Sequence, residues 1–331
     1  MRFRRRWFSG VLAAAAILCA AALLPLPLYL IVPGAAIDLS SAVIVGSTAP
    51  PRDRFFLTDV RLIRASPLRL ALALFPGVTL AKADTVVPNG ESGRRFEDSM
   101  QTAMHESQSI AAVVGERAAG LAVPLPVARV EVEAIDGAST ARGLLAAGDI
   151  IASIDRHAVR EGLDVRAAVA AKPAGTPLRV AFERAGIVRV VTLRAVLLGG
   201  RARLGVILAQ RYGPVQLAVP VRFAVGDVGG SSGGLMMALR IYDGLHASGR
   251  AGGGSFAGTG TIALDGRVGP IEGTRQKLLA AKRAGARIFF VPRANFADIA
   301  GERDLRVVPV DTFGQARRVL DRRARKRRPG K

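Results

Sequence analysis

The sequence predicts an α+β fold preceded by a transmembrane helix, and three stretches carry that prediction. An uncharged run extends from Trp7 to Val32. An apolar, β-branched run, Val219 to Val225, leads through a glycine-rich turn into a helical pattern of apolar residues. A strand, a hairpin turn, a second strand and a helix follow between Gly258 and Ala281. These patterns predict strands and helices combined in one domain.

Composition limits the classes of function. The 331 residues are enough for about two domains. The net charge of +21 is uneven, with basic clusters at residues 2–6 and 317–331 and a moderately basic middle. Aromatic residues make up only 5% of the chain, so stacking platforms are sparse and we expect no nucleic-acid partner. The single cysteine, Cys19, excludes a disulfide within the chain, a cysteine zinc site and a cysteine nucleophile.

The N-terminal run is long enough to cross a bilayer, which takes about 20 apolar residues. Arginines at positions 2 and 4–6 precede it, which predicts that the N-terminus lies inside and the remainder outside. A cleaved signal peptide is the alternative, because Ala20 to Ala22 offers a small-residue cleavage site. The length of the run favours a retained anchor, and so a single-pass protein of the cell membrane with its folded part on the extracytoplasmic side.

The central turn is Gly230-Ser231-Ser232-Gly233-Gly234. Its glycines permit positive φ angles and a close backbone approach to a ligand. We expect Ser232 to open the following helix, where free backbone N–H groups stabilise negative charge. Three interpretations compete: a flexible turn with capping serines, a phosphate-binding loop and a nucleophilic serine. Leu235 stands where a Walker A loop needs lysine, which disfavours the second.

A nucleophilic serine needs a base, and histidine is not available for that role. The only histidine after Ser232 is His246, which the spacing places on the same helix. Lysine is the remaining choice. Lys277 falls in the first turn of a helix predicted to be capped by Thr274, where burial and the helix N-terminus lower the amine pKa. The alternative is a surface lysine on an amphipathic helix.

These two stretches resemble the proteolytic domain of the Lon family, a Ser-Lys dyad peptidase with a ribosomal-protein-S5-like α/β fold. The family pattern P-S-A-G-L aligns on Ser231 to Leu235, which gives Ser232 the role of nucleophile. The pattern G-x-x-x-K-x-x-A-A aligns on Gly273 to Ala281, which gives Lys277 the role of base. Ser231 stands in place of the usual proline, and Gly233 in place of the usual alanine.

The resemblance extends to supporting residues. The family's Thr-Gly strand aligns on Thr259-Gly260, and Thr259 is expected to orient the dyad. Backbone N–H groups in the turn that contains Gly230, Ser231 and Gly233 are expected to hold the oxyanion. Met104 to Gln108 resembles the M-x-E-S-x-Q helix early in the family's domain, which places Glu106 at the border of the site and leaves His105 without a catalytic role. The resemblance implies no metal and no cofactor.

A second pattern lies between the two parts of this domain. Ala138 to Ile154 resembles the A-x-x-G-L-x-x-G-D-x-I-x-x-I pattern of bacterial PDZ domains, and a helix and two strands are predicted after it, as expected. PDZ domains bind extended peptides by strand addition. Leu204-Gly205-Val206 resembles the L-G-[IV] carboxylate loop of their peptide groove. A purely structural β domain is the alternative.

The whole arrangement is similar to the membrane-anchored, PDZ-containing Lon-like peptidases of bacteria (the YlbL type). It divides the chain into an anchor (1–33), a first Lon-like part (34–122), a PDZ domain (124–210), a second Lon-like part (211–320) and a basic tail (321–331). The sequence contains no Walker A pattern. The resemblance therefore implies an ATP-independent serine endopeptidase with protein or peptide substrates and the membrane as partners, and it leaves a homo-oligomer open. A catalytically degenerate PDZ scaffold is the alternative, because Ser231 and Gly233 depart from the pattern.

Overall fold

The computed structural model describes residues 22–46, 53–87, 93–137, 139–160, 162–198, 201–246 and 253–327. The arginines at positions 2 and 4–6, residues 7–21 of the predicted membrane span with Cys19, and the tail from 328 onward lie outside these ranges. The chain forms two units: unit 1 runs to Val123 and resumes at Leu217, and unit 2 is Pro124–Gln216. The predicted PDZ segment, 124–210, falls within unit 2.

The strands are numbered in chain order. They are β1 (Leu28–Asp38), β2 (Val43–Val45), β3 (Arg54–Arg64), β4 (Thr79–Lys82), β5 (Ala128–Ile135), β6 (Ile150–Ile154), β7 (His157–Ala158), β8 (Pro177–Arg184), β9 (Ile187–Arg194), β10 (Val196–Leu198), β11 (Arg201–Arg203), β12 (Val206–Tyr212), β13 (Val221–Phe223), β14 (Ser255–Gly258), β15 (Thr261–Ile262), β16 (Val268–Gly269), β17 (Ile288–Pro292) and β18 (Arg306–Val310).

The helices are numbered in the same way. They are α1 (Leu39–Ala42), α2 (Ala83–Val86), α3 (Gly93–Ala118), α4 (Gly162–Ala170), α5 (Gly234–Gly244), α6 (Thr274–Arg283) and α7 (Phe313–Arg327), with 3-10 helices at Arg69–Leu74 and Arg293–Ile299.

Unit 1 is built on a six-stranded sheet in the order β18-β17-β14-β3-β1-β4. The strands from β18 to β3 are parallel, β1 pairs antiparallel with β3, and β4 pairs antiparallel with β1. Side chains alternate between the two faces, as the strand period requires. Phe55 and Leu57 enter the core that contains α5, while Phe56 between them enters the core that contains α6. The sheet is therefore covered on both faces, and α5 and α6 lie on opposite sides of it.

Unit 2 is a predominantly antiparallel β structure with a core of its own. Its sheet has the strand order β12-β5-β6-β8-β9, with β7 paired to β6. The helix α4 contributes Val165 and Val169 to that core. Asp149 accepts a hydrogen bond from the Ala146 amide and pairs with Arg184, which agrees with the turn-capping role predicted for it. The strand β12 lies at the edge of the sheet.

The prediction of a transmembrane helix from Trp7 to Val32 is contradicted in the part that the structure describes, and residues 7–21 of that run lie outside the described ranges. The single-pass membrane localisation that rested on this helix is not supported. Among the residues that the structure describes, no helix has the length and apolar character needed to span a bilayer. The outer end of the predicted span, Leu28 to Val32, forms part of β1 and pairs with β3 and β4. Its Leu30 is fully buried. An uncharged strand inside a sheet has the same local hydropathy as a membrane segment, so hydropathy alone placed Leu28 to Val32 in the predicted span.

The C-terminal end also differs from the prediction. The segment predicted as a basic tail, 321–331, is helical in its described part, because α7 continues to Arg327. Leu320 is fully buried and Tyr242 donates its hydroxyl to Asp321, so the first half of the helix is anchored to unit 1. The run of basic residues after Asp321 is good helix-forming sequence, and it extends a helix that packing has already started.

The two ends of the inserted unit are held by neighbouring residues of one helix. Glu116, near the end of α3, is fully buried and accepts hydrogen bonds from the amides of Ala218 (2.8 Å) and Val219 (3.2 Å). Arg117 donates to the Val123 carbonyl at 2.6 Å. Unit 1 therefore fastens the chain where it leaves for unit 2 and where it returns.

Glu116→Ala should lower the free energy of unfolding by about 2 kcal/mol, because two amides lose a charged acceptor and a buried side chain leaves a void. Glu97→Ala is the matched control, since Glu97 is exposed on the same helix. Its effect should stay within about 0.5 kcal/mol. Urea unfolding followed by circular dichroism measures both, and equal stabilities of the two variants would contradict the assigned role.

Candidate active site

The turn predicted to carry the nucleophile lies between β13 and α5. The preceding strand is shorter than predicted, and Ser232 lies two residues before the first residue of α5 rather than opening it. Gly233 is the N-cap residue. Gly230 has φ +85°, and a Cβ at that position would lie 2.7 Å from Cε of Met100. The positive φ favours glycine there, and a larger residue would also displace the end of the Met100 side chain.

Lys277 lies in the first turn of α6, as the sequence predicted. The predicted cap is displaced by one residue: Gly273 is the N-cap with φ +71°, and Thr274 is the first helical residue. The Thr274 hydroxyl donates instead to Asp298 at 2.9 Å. A Cβ at Gly273 would lie 2.7 Å from Cγ1 of Val60, so glycine is required where the helix meets β3. This close approach sets Lys277 against the sheet.

Ser232 and Lys277 are in direct contact. The Lys277 Nζ lies 2.7 Å from the Ser232 Oγ, and the two atoms share a hydrogen bond. The lysine side chain is almost wholly withdrawn from water, with 4% of the residue exposed. The interpretation of Lys277 as a surface lysine is therefore wrong. The structure brings together the serine and the amine that the sequence singled out on separate segments.

Burial lowers the pKa of Lys277 from 10.5 to about 8. The carboxylates of Asp59 and Glu272 oppose this shift, because negative charge nearby favours the ammonium form. Burial in turn raises the pKa of the Asp59 carboxyl, against the effects of the Val60 amide and the positive charges of Lys277 and Arg61. At about pH 8, half of the Lys277 side chains are therefore neutral.

Asp59 and Glu272 were missed by the sequence reasoning. Asp59 lies in β3, inside the stretch that was predicted as a strand from Phe55 to Val60. A carboxylate within an otherwise apolar strand was the available signal, since such a group usually faces a partner. Glu272 directly precedes the Gly273 cap, and nothing in its local sequence distinguishes it from a surface acid.

Thr259 and Gly260 contact the backbone of the turn. The Ser232 carbonyl accepts hydrogen bonds from the Gly260 amide (2.8 Å) and from the Thr259 hydroxyl (3.1 Å). Thr259 is fully buried, and its own amide donates to the Phe290 carbonyl at 3.0 Å. These residues follow β14 directly, so the central sheet holds them in place. The hydroxyl of Thr259 therefore fixes the peptide after Ser232.

Backbone amides of the turn separate into two groups. The amides of Gly230, Gly234 and Leu235 donate to the carbonyls of Met100, Ser231 and Gly260, respectively. The amides of Ser232 and Gly233 make no hydrogen bond to any residue within the described ranges. Two adjacent free N–H groups beside a serine oxygen are the arrangement that stabilises a developing oxyanion.

The glycine at position 233, where the family pattern has alanine, fits the small space next to Leu57. A Cβ at this position would collide with Cδ1 of Leu57, a buried residue of β3. Ser231, the other departure, is half-buried, and its carbonyl accepts a hydrogen bond from the Ser107 hydroxyl of α3 at 3.0 Å. The contact with Leu57 therefore accounts for the glycine at 233, whereas the bond at Ser231 uses the backbone carbonyl and does not explain the serine.

The histidines and Glu106 do not alter the pairing of Ser232 with Lys277. His105 and His157 are exposed. His246 follows α5 and its Nδ1 lies 2.7 Å from the Tyr242 carbonyl, one turn back along the chain. Glu106 is half-exposed on α3, and its expected place at the border of the site stays a prediction.

The predicted peptide groove of unit 2 coincides with a cavity. It has a volume of about 830 Å³ and opens between α4 and the edge strand β12. Leu204, Gly205 and Val206 all line it, together with Val169 and Ile207 among others. Gly205 has φ +67°, and a Cβ there would lie 2.8 Å from Cβ of Ser139.

Comparison with known proteins identifies part of the chain. Residues 215–316 match the family model of the Lon protease (S16) C-terminal proteolytic domain. The matched segment contains Ser232, Thr259 and Lys277. The chain is 38% identical over 91 residues to the Lon protease of Chloroflexus aurantiacus and 44% identical over 91 residues to Lon protease 1 of Herpetosiphon aurantiacus. These matches show that this segment of the chain is similar to the proteolytic domain of Lon proteases.

The similarity is confined to one segment. The aligned residues are 26% and 28% of this chain, and only 11% of each of those two proteins. The chain thus spans about a tenth of the length of the curated relatives it matches. Among solved structures, the PDZ domains of SdrC-like proteins from Listeria monocytogenes and Listeria innocua match with a TM-score of 0.23 each. Their identities are 20% and 18%, over 24% of this chain and 85% and 92% of theirs.

Asp59→Asn should lower the pKa of Lys277 below about 8. Of the two carboxylates that raise this pKa, Asp59 has the larger effect, and the substitution removes its charge. The chemical shifts of ¹³C-labelled lysine side chains, titrated with pH, measure the value. Lys277→Arg identifies the signal by its loss. Glu272→Gln should shift the pKa in the same direction but by less, and a rise in either variant would contradict the electrostatic assignment.

Proposed function

We propose that this chain is an ATP-independent serine endopeptidase in which Ser232 is the nucleophile and Lys277 the general base. The observation that carries the proposal is the 2.7 Å contact between the serine oxygen and a buried amine whose pKa is about 8. At pH 7 about a tenth of such amines are neutral, and at pH 8 about half, so the base form is present under ordinary conditions. An exposed lysine would be protonated almost completely.

The reaction begins when the Ser232 Oγ attacks the carbonyl carbon of the substrate peptide bond. Neutral Lys277 takes the hydroxyl proton as the new C–O bond forms, and the carbonyl oxygen becomes an oxyanion. The free amides of Ser232 and Gly233 are the groups that support an oxyanion hole at this place. The Lys277 ammonium then gives its proton to the leaving amine, and the C–N bond breaks to leave an acyl-serine.

Deacylation repeats these steps with water. Lys277, neutral again, takes a proton from the attacking water. The Lys277 ammonium then gives this proton to the Ser232 Oγ as the acyl C–O bond breaks, which releases the carboxylic acid and restores the serine hydroxyl. The Asp59 and Glu272 carboxylates favour the ammonium that forms in each half-reaction, while burial favours the neutral base that starts it. A pKa near the working pH serves both directions of proton transfer.

Thr259 has a supporting role in this proposal. Its hydroxyl does not contact the amine but donates to the carbonyl of Ser232. It therefore orients the Ser232–Gly233 peptide, including the Gly233 amide, rather than the proton-transfer pair. The resemblance to the Lon family implies that Thr259 orients the dyad, and this contact supports a role through the backbone of Ser232.

The cavity of unit 2 supports a role in selecting substrates. An extended segment of a protein substrate adds to the edge strand β12, and its side chains enter the space between β12 and α4. Unit 2 carries no serine–lysine pair of the kind found in unit 1 among its described residues, and we assign it no chemical step. The 331 residues contain no Walker A pattern, and ATP-independent cleavage is part of this proposal. Nucleic acid is not among the partners we propose, and a homo-oligomer stays a prediction.

Ser232→Ala and Lys277→Arg should each lower kcat/KM for a fluorogenic peptide by at least about 10⁴-fold, because the two residues act as one unit. The arginine variant keeps the positive charge but cannot supply a neutral base. In the wild type, kcat/KM should rise with pH and level off above about pH 8, since the base must lose its proton.

Ser231→Ala is the matched control for this pair, because Ser231 neighbours the nucleophile without contacting Lys277. It should keep most of the activity and should still be labelled at Ser232 by a fluorophosphonate. Near-wild-type cleavage by Lys277→Arg, or loss of labelling in Ser231→Ala alone, would show that the dyad is wrongly assigned. Absence of any Ser232-dependent cleavage in the wild type would favour the degenerate scaffold.

Ile207→Glu should raise KM for an unfolded protein substrate by about tenfold and leave cleavage of a short peptide unchanged. Ile207 lines the cavity, is 44% exposed and lies on β12, so a charge there opposes an apolar substrate segment without disturbing the core. Val188→Glu is the control, since Val188 is exposed on β9 at the other edge of the same sheet. Equal effects on both substrates would argue against a selective groove.

A further inference from the structure

Helix α3 contacts the nucleophile turn through a serine that the reaction scheme leaves without a role. Ser107 is 3% exposed, and its hydroxyl donates to the carbonyl of Ser231 at 3.0 Å. The bond joins residues that are 124 positions apart in the sequence. A Cβ at Gly234 would lie 2.7 Å from the Ser107 oxygen, so the glycine at the start of α5 is what allows this approach.

The direction of this hydroxyl is unusual within its own helix. Serine and threonine side chains inside helices commonly donate to a carbonyl of the preceding turn. Ser99, Thr102 and Ser109 of α3 do so, to the carbonyls of Phe96, Asp98 and His105 respectively. Ser107 instead donates across to the turn that carries Ser232.

The consequence for the turn follows from the geometry of the peptide group. The carbonyl of Ser231 and the amide of Ser232 belong to one planar unit and point in opposite directions. The Ser231 carbonyl accepts hydrogen bonds from the Ser107 hydroxyl at 3.0 Å and from the Gly234 amide at 3.3 Å, and these bonds fix the direction of the Ser232 N–H as well. The next peptide is fixed in the same way, because Thr259 and Gly260 hold the Ser232 carbonyl and thereby the Gly233 N–H.

We propose that Ser107 is a positioning residue for the oxyanion hole: it holds the Ser231–Ser232 peptide from the α3 side, as Thr259 holds the Ser232–Gly233 peptide from the β14 side. This inference rests on the proposed function of Ser232 and Lys277. Ser107 does not contact the amine or the serine oxygen and takes no part in proton transfer. Its effect is on the orientation of one donor to the developing negative charge.

The test uses the full chain with three substitutions: Ser107→Ala, Ser107→Cys and the control Ser109→Ala. Cysteine fills nearly the same space as serine but is a weak donor, so it separates the hydrogen bond from the packing. Active sites are counted by stoichiometric labelling with a fluorophosphonate, and kcat is expressed per labelled site. This excludes unfolded molecules from the comparison.

Both Ser107 variants should lose about 10- to 100-fold in kcat per labelled site, somewhat less than removal of an oxyanion donor outright. KM should change by less than about twofold, and the midpoint of the pH profile should stay that of the wild type, because Lys277 is untouched. Ser109→Ala should match the wild type in all three quantities. This separation of kcat from KM and from the pH midpoint is not expected of a residue that serves folding alone.

Two other outcomes are distinguishable. If cleavage depends on Ser232 and the Ser107 variants keep wild-type kcat per labelled site, with only the labelled fraction or the melting temperature reduced, Ser107 is structural and the inference is wrong. If cleavage by the wild type does not depend on Ser232, the proposed function is wrong, and the role of Ser107 is overturned with it.

Discussion

The contact between a desolvated amine and a serine hydroxyl is the constraint to which the rest of unit 1 is fitted. Keeping Lys277 out of water needs a cover on every side, which α6, β3 and the turn before α5 provide. The lowered pKa means that the unfolded chain binds more protons than the folded one between about pH 8 and 10.5. Stability therefore rises through that window, and below it the buried ammonium opposes folding by about 3 kcal/mol.

The fold tolerates this opposition because the surrounding segments are held by strong packing. Helix α5 is buried along its whole length, and the sheet beneath it is apolar on both faces. The aromatic rings of Phe55, Phe256 and Phe290 stack across neighbouring parallel strands of that sheet. A rigid frame of this kind fixes the ends of β14 and α5 closely enough to align the dyad, which is the usual relation between a scaffold and a destabilising site.

The sequence was most informative where function leaves a local pattern. The serine turn and the lysine helix were predicted because their residue types and spacings are specific, and the helix over α3 and the strands of unit 2 followed from periodicity. Contacts between distant segments could not be predicted from local patterns. Asp59 lies near Lys277, and Ser107 near Ser231, only because the fold brings together segments that are far apart in the sequence. The prediction that Leu28 to Val32 belong to a membrane span failed for a different reason. Hydropathy measures how apolar a segment is, and it does not distinguish a strand in a protein sheet from a segment in a bilayer. Helix caps were misplaced by one or two residues, since glycines with positive φ, such as Gly273, displaced the expected Thr cap.

The adjacent anchors at the end of α3 have an evolutionary and practical consequence. Because Glu116 and Arg117 hold both chain ends of the insertion at one place, the insertion joins the framework of unit 1 as a closed loop. The length and identity of what lies within the loop matter little to the framework, since the entropy of loop closure grows slowly with length. Recombination or protein engineering can therefore place a different module at this junction. Such a module needs termini that lie close together, and the framework of unit 1 is left intact.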